Sequence, residues 1–238
     1  MAQTIFHPAA SRGKADLGWL KSYHSFSFGG YYNPERMNFG ALRVLNDDTV
    51  AGGKGFGEHP HDNMEIISIP LKGGLKHHDS MDNTAVISDG DIQVMSAGTG
   101  IFHEEHNDDK HDEVKFLQIW IYPNVRNVEP RYDQLTLNKA DRHNKLQQVL
   151  SPNRDDAGVW IYQNSWFHLG NFDKGLSTEY QLKAKGNGVY VFVLNGSVEI
   201  NGQVLNTRDG FGIWDTDSFT INALSDAEFL LMEVPMEF

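Results

Sequence analysis

The sequence predicts an all-β protein, on three observations. Short apolar runs rich in Val, Ile, Phe, Tyr and Trp alternate with turn residues along most of its 238 positions. Such runs suit a pleated, half-buried surface, and their near-regular spacing indicates sandwiches or barrels. Helical periodicity is weak, leaving room only for short helical turns near 8–14 and 33–37. Finally, Asn201-Gly202 separates Val198-Glu199-Ile200 from Gln203-Val204-Leu205, a hairpin signal because both turn residues tolerate positive φ.

Taken in order, strands are expected at 41–46, 64–70, 74–79, 91–95 and 114–122. The stretch 123–154 differs: it is polar and carries Pro123, Pro130 and Pro152. It reads as a crossover between two β units, with a strand near 148–150. A second strand-rich unit follows, with strands at 158–163, 179–183, 188–194, 197–200, 203–206, 211–214, 218–221 and 228–234. Asn195-Gly196 and Asp209-Gly210 mark further turns. The division places residues 1–134 in the first unit and 135–238 in the second. Leu71-Lys72-Gly73-Gly74 and Leu194-Asn195-Gly196 sit at comparable points of the two halves, which hints at duplication.

Composition narrows the chemistry. With no cysteine there is no disulfide framework, thiolate metal site or cysteine nucleophile. Twenty Lys and Arg against 32 Asp and Glu give a net charge of −12, which argues against a nucleic-acid surface. No apolar run approaches the roughly 18–20 residues of a membrane span. The N-terminus shows no basic region followed by an apolar run. The expectation is a cytoplasmic protein with no membrane partner.

The histidines are unevenly placed. Seven of eleven lie between 59 and 111. His59 and His61 flank Pro60, and residues i and i+2 of an extended segment share a face. His103 and Glu105 form a second such pair after the glycine-containing run Ser96–Gly100. Two such segments side by side supply three imidazoles and a carboxylate, a nitrogen and oxygen donor set for a divalent metal. Glu104 is adjacent and equally acidic, but alternation favours Glu105. The same alternation turns His106 away and lets at most one of His77 and His78 look inward. His24 fits either the pocket mouth or the core, and His111 a solvated loop. Glu65, four residues after His61, is a further candidate on spacing.

These patterns resemble the cupin superfamily. Gly53, five residues, His59-Pro60-His61, three residues and Glu65 follow the opening of the first cupin motif, closed by Gly73. Gly90, five residues, Ser96-Ala97-Gly98, then His103, three residues and Asn107 resemble the second. Ser96 stands where many cupins have proline, and two extra residues precede His103. The runs from Phe56 to Glu65, Met95 to Ile101, Tyr23 to Phe28 and Ala41 to Asp48 together resemble the pirin family, over most of residues 18–134. The C-terminal half matches by layout more than by motif.

That resemblance implies a bicupin: two antiparallel cupin β-barrels facing each other, with metal only in the N-terminal one. It implies His59, His61, His103 and Glu105 as ligands and sets Glu65 aside. The C-terminal half has no His-x-His around 189–205, and His168 stands alone there. The activity implied is a quercetin 2,3-dioxygenase, acting on a flavonol and O2 with one divalent metal. Fe(II) is the first expectation, and Ni, Cu, Zn, Mn or Co are accepted by the same donors. Glu105 is the expected general base for the substrate hydroxyl. The competing expectation is a metal-bearing regulatory protein that binds a protein partner. A sugar- or acid-modifying cupin is a third, disfavoured because few basic residues (Lys54, Lys72, Lys76) lie near the motifs.

Overall fold

The computed structural model describes residues 2–238. Among them are 22 strands and two short 3-10 turns, Ala9–Ser11 and Lys139–Arg142. The strands form four sheets. Sheet I runs, in spatial order, Arg131–Thr136, Asp91–Ser96, Glu65–Lys72, Val114–Ile121, Leu42–Val50, Leu20–His24 and Gly13–Asp16. Sheet II holds Gly55–His61, Ile101–Asn107, Gly74–Asp79 and Thr84–Ser88. Sheet III runs Gln3–His7, Gly210–Trp214, Asn187–Asn195, Ala227–Pro235, Trp166–Phe172, Leu146–Ser151 and Val159–Trp160. Sheet IV holds Ser177–Gln181, Ser218–Ala223, Ser197–Ile200 and Gln203–Asn206. Pairing is antiparallel except between Leu146–Ser151 and Val159–Trp160. The all-β, antiparallel expectation holds, although each ladder ends at edge strands and none closes into a ring.

Strand alternation explains the layering. Along Val114–Ile121, Val114 and Phe116 pack with Leu75 and Ile87 of sheet II, whereas Leu117, Ile119 and Ile121 face the opposite way. Those three meet Phe167, Leu169, Phe192, Leu230 and Met232 of sheet III. On the far side of sheet III, Val189, Val191, Phe229 and Leu231 pack against Tyr180, Val198 and Ile221 of sheet IV. The order is therefore II, I, III, IV, with the two long sheets back to back on one shared apolar core. The faces buried on both sides explain why these central strands read as unbroken apolar runs.

Several elements depart from expectation. Residues 123–154 hold the strand expected near 148–150, as Leu146–Ser151, and one that was not expected, Arg131–Thr136, paired with Asp91–Ser96. Arg131–Thr136 is a half-exposed edge strand, so its sequence carries little apolar signal. The strand expected over 158–163 shortens to Val159–Trp160, and the region 33–37 makes only a turn, Arg36 N–H donating to Asn33 O. The first strand, Gln3–His7, pairs with Gly210–Trp214 in sheet III, whereas the next, Gly13–Asp16, joins sheet I. The Asn201-Gly202 hairpin forms as expected, with φ of 51° and 79°. Among the described residues, no helix is long and apolar enough to cross a membrane.

Candidate metal centre

The site is built on sheet II and faces sheet I. Gly55–His61 is the edge strand of sheet II, so Pro60 forfeits no ladder bond that a central strand would need. Its neighbour, Ile101–Asn107, alternates cleanly: Ile101, His103, Glu105 and Asn107 are buried, while Phe102 is exposed. His103 sits directly opposite His59. A bulge follows, so that Glu105 pairs with Phe56 rather than with Gly57. The register thus brings three rings together from two strands.

His59 and His103 have ring centroids 4.4 Å apart, and His61 lies 4.9 Å from each. One ring nitrogen from each of the three falls within 4.8 Å of the others. His59 Nδ1 lies 2.8 Å from the Gly57 carbonyl, which only accepts, so Nδ1 carries the hydrogen and Nε2 a lone pair. His103 Nε2 is buried and has no partner in the protein. Burial, reinforced by the neighbouring His59, holds His61 down to about 4. Burial, with His59, His61 and His77 close by, holds His103 at about 2. These two imidazoles are neutral at pH 7. An unpartnered buried nitrogen facing two other imidazoles suits a divalent cation better than any proton, so the residues present fit a metal ion.

Glu105 is buried beside this trio, and its carboxylate groups most closely with His103 and His77. Ser68 Oγ lies 3.4 Å from both Glu105 Oε1 and Gln118 Oε1, and its one proton serves one of them at a time. Burial, then the charge of Asp48, pushes Glu105 up to about 8. Burial likewise raises Asp48 to about 7, with Asp47 adding to the shift. A bound divalent cation reverses this sign for a neighbouring carboxyl.

The trio opens on a cavity of about 330 Å³. Leu20, Phe28, Phe56 and Ile66 give it apolar walls. Along another wall, His24 Nδ1, Asn46 Oδ1, Asp48 Oδ1, Gln118 Nε2 and Trp120 Nε1 are buried without a protein partner. Of these, only His24 is among the residues the sequence offers for the pocket. The usable signal was polar residues at alternate positions of apolar strands, as in Asn46-Asp47-Asp48 and at Gln118.

Other candidates fall elsewhere. Glu65 points to the opposite face of its strand, where Ser96 Oγ donates to Oε2 at 2.7 Å. Burial raises it to about 7, against the pull of Ser96 and Arg131. A Glu65→Gln protein is expected to keep its full metal complement by elemental analysis; loss of the metal would put Glu65 back among the ligands. His24 lines the cavity. His77 turns inward and His78 outward, where Asn83 and Thr84 bind it. His106 is part-exposed and pairs with Glu104 at 3.3 Å. His111 is exposed beside Asp109 and Asp112. His168 is buried in the other half against Tyr180.

Comparison with known proteins adds to this geometry. Residues 6–121 match the pirin family model, and residues 148–234 match a model described as the quercetinase C-terminal cupin domain. The chain is 41% identical over 227 residues to quercetin 2,3-dioxygenase of Escherichia coli, covering 95% of this chain and 96% of that one. It is 42% identical over 227 residues to a pirin-like protein of Caulobacter vibrioides, covering 95% and 97%. It also matches the crystal structure of the bacterial pirin YhhW of Escherichia coli in complex with nickel(II). That match has a TM-score of 0.93 and 39% identity, over 98% of this chain and 99% of that one. By sequence along nearly its whole length, and by fold, this chain belongs to the pirin family.

Proposed function

We propose that this protein is a metal-dependent dioxygenase that opens the central ring of a flavonol such as quercetin with O2. The observation that carries this is the unpartnered Nε2 of His103 set among His59 and His61 at the floor of an apolar-walled cavity. The curated relatives named quercetin 2,3-dioxygenase support the substrate class. His59, His61 and His103 hold the metal, with Glu105 as fourth ligand, and Fe(II) is the metal we favour. The ion supplies Lewis acidity, lowering the pKa of a hydroxyl bound beside it. The division of labour belongs to the same proposal: residues 1–134 carry the chemistry, and 135–238 pack against them.

The protein's own groups do the rest. Glu105, once ionised, accepts the flavonol hydroxyl proton at its carboxylate. Ser68 steadies that carboxylate through Oε1. Phe28, Ile66 and the Trp120 ring flank the flat substrate and exclude water. Gln118 Nε2 and Trp120 Nε1 offer hydrogens, and Asn46 Oδ1 and Asp48 Oδ1 accept them, so a polyhydroxylated ring finds partners of both kinds.

The test is oxygen uptake with quercetin by iron-loaded protein, with carbon monoxide measured alongside. The expected result is one CO released per O2 consumed. A fully loaded protein that consumes no oxygen with any flavonol overturns the proposal. Metal binding itself carries a signature. Glu105 keeps its proton below about pH 8 in the metal-free protein, whereas His61 and His103 are already neutral. Titration calorimetry in buffers of different ionisation enthalpy is therefore expected to show about one proton released per ion at pH 7, and that proton missing in Glu105→Gln. Equal release in the two proteins would show that Glu105 does not ionise on binding.

A further inference from the structure

Behind His103, on the side away from His59 and His61, sits a pair of groups that the proposed chemistry leaves unused. His77 lies on Gly74–Asp79, directly opposite Glu105 in the ladder, and is fully buried. Its Nε2 is 2.9 Å from Asp79 Oδ2 and its Nδ1 is 3.4 Å from His103 Nδ1. The Tyr132 ring covers it at 4.8 Å. Asp79 is also buried, and Met81 N–H, Asn83 N–H and the Asn83 side-chain amide all donate to it. Its carboxylate can only accept.

Those contacts fix the protons in sequence. Asp79 accepts, so His77 Nε2 carries the hydrogen. A neutral imidazole then has its lone pair on Nδ1. That lone pair faces His103 Nδ1, so His103 donates there, and its own lone pair is left on Nε2. This is the buried nitrogen that has no partner in the protein. We propose that His77, anchored by Asp79, is a positioning residue that holds His103 in the Nδ1–H tautomer and presents its Nε2 lone pair to the metal ion. The inference rests on reading His103 as a metal ligand. His59 obtains the same control more simply, from the Gly57 carbonyl. Outer partners of this kind orient a ligating ring and set its tautomer. Nothing in the arrangement requires His77 or His103 to change its number of protons.

Asp79→Asn separates the relay from the fold. Its side-chain oxygen still accepts from Met81 and Asn83, and the Asn83 amide can turn its oxygen toward the new NH2. That NH2 donates to His77 Nε2, moves the His77 hydrogen to Nδ1, and so moves the His103 hydrogen to Nε2. In the metal-free full-length protein labelled with 15N-histidine, two-bond 15N–1H correlations read the tautomers directly. We expect His103 Nδ1–H and His77 Nε2–H in the wild type, both inverted in Asp79→Asn. Co(II) titration, followed by its d–d absorption, is expected to show affinity reduced about 10–100-fold in Asp79→Asn. His77→Leu should lose a similar amount, and His77→Gln less, because its amide oxygen accepts the same hydrogen. Melting of the metal-free variants reports any loss of fold.

Wild-type His103 carrying its hydrogen on Nε2 overturns the proposal. So does an Asp79→Asn or His77→Leu protein that binds Co(II) like the wild type. If His77→Gln loses the ion as completely as His77→Leu and the d–d bands change, His77 is itself a ligand and the positioning role fails. A wild type that binds no Co(II) sinks the metal-centre reading, and this proposal with it. Normal wild-type binding with unaltered Asp79→Asn sinks the relay alone.

Discussion

His103→Ala protein is expected to purify without metal and to turn over no flavonol above background. His103 is the ring that both other imidazoles face, and it alone comes from the central part of sheet II. Removing it leaves His59 and His61 on a single edge strand, with Glu105 as the one other proposed ligand. Structural ions bind their sites with roughly 10–16 kcal/mol, so each of four ligands accounts for about 2.5–4 kcal/mol, or about 10²–10³-fold in affinity. The measurement is elemental analysis after expression, with metal titration of the purified variant. Full metal content and full turnover in His103→Ala would remove the basis of the proposed function. Removal of Glu105 is expected to act differently: the three imidazoles stay in place, so Glu105→Gln should retain metal more weakly and lose rate more than binding.

The second large effect lies in the other half, away from the candidate metal centre. Glu233 is completely buried between sheets III and IV. Its Oε2 accepts from Tyr180 OH at 2.8 Å, and its Oε1 from Ala184 N–H at 3.0 Å and Asn187 Nδ2 at 2.9 Å. Lys183 N–H reaches both oxygens at 2.9 Å. Glu233→Ala strands all of these donors in the interior. The expected loss is about 3–5 kcal/mol by denaturant unfolding. For a chain of this length that corresponds to a melting temperature lower by roughly 6–20 °C. Glu233→Gln keeps one acceptor oxygen, and the Tyr180 hydroxyl can turn to accept, so its cost should be about 1–2 kcal/mol. An alanine variant within 1 kcal/mol of wild type would mean that water replaces the carboxylate there. Flavonol turnover per folded molecule should be unchanged in either variant.

Much of this site was legible in the sequence, because its geometry follows from strand period. His59 and His61, like His103 and Glu105, share a face by alternation alone, and one hydrogen-bonded register joins the two strands. Alternation also separated Glu105 from Glu104. The same rule, applied to Glu65, shows it on the wrong face, but only once its strand's orientation is known. Spacing left Glu65 open, and the family resemblance set it aside. What alternation cannot give is pairing between distant strands. Asn46, Asp48 and Gln118 enter the cavity because Leu42–Val50 and Val114–Ile121 are neighbours in sheet I, which no local pattern announces. His77 and His78 stayed unresolved for the same reason: one of them must face inward, and the Leu75 and Ile87 packing beneath Gly74–Asp79 decides which. The edge strands Gln3–His7, Gly13–Asp16 and Arg131–Thr136 were missed because edges tolerate polar residues and so lose the apolar signature.

The strand Gln3–His7 has a consequence for how the chain reaches its native state. Its partner, Gly210–Trp214, lies some two hundred residues along the sequence, so the contact is among the longest-range in the molecule. During synthesis this segment emerges some two hundred residues ahead of its partner and waits for it with its backbone groups unpaired. The apolar back of sheet I waits with it, since the face that covers it belongs to sheet III. Such topology is slow to assemble and leaves the partly made chain adhesive in the meantime. Its reward is a tie between distant parts of the sequence: to fray Gln3–His7, sheet III must give up its edge.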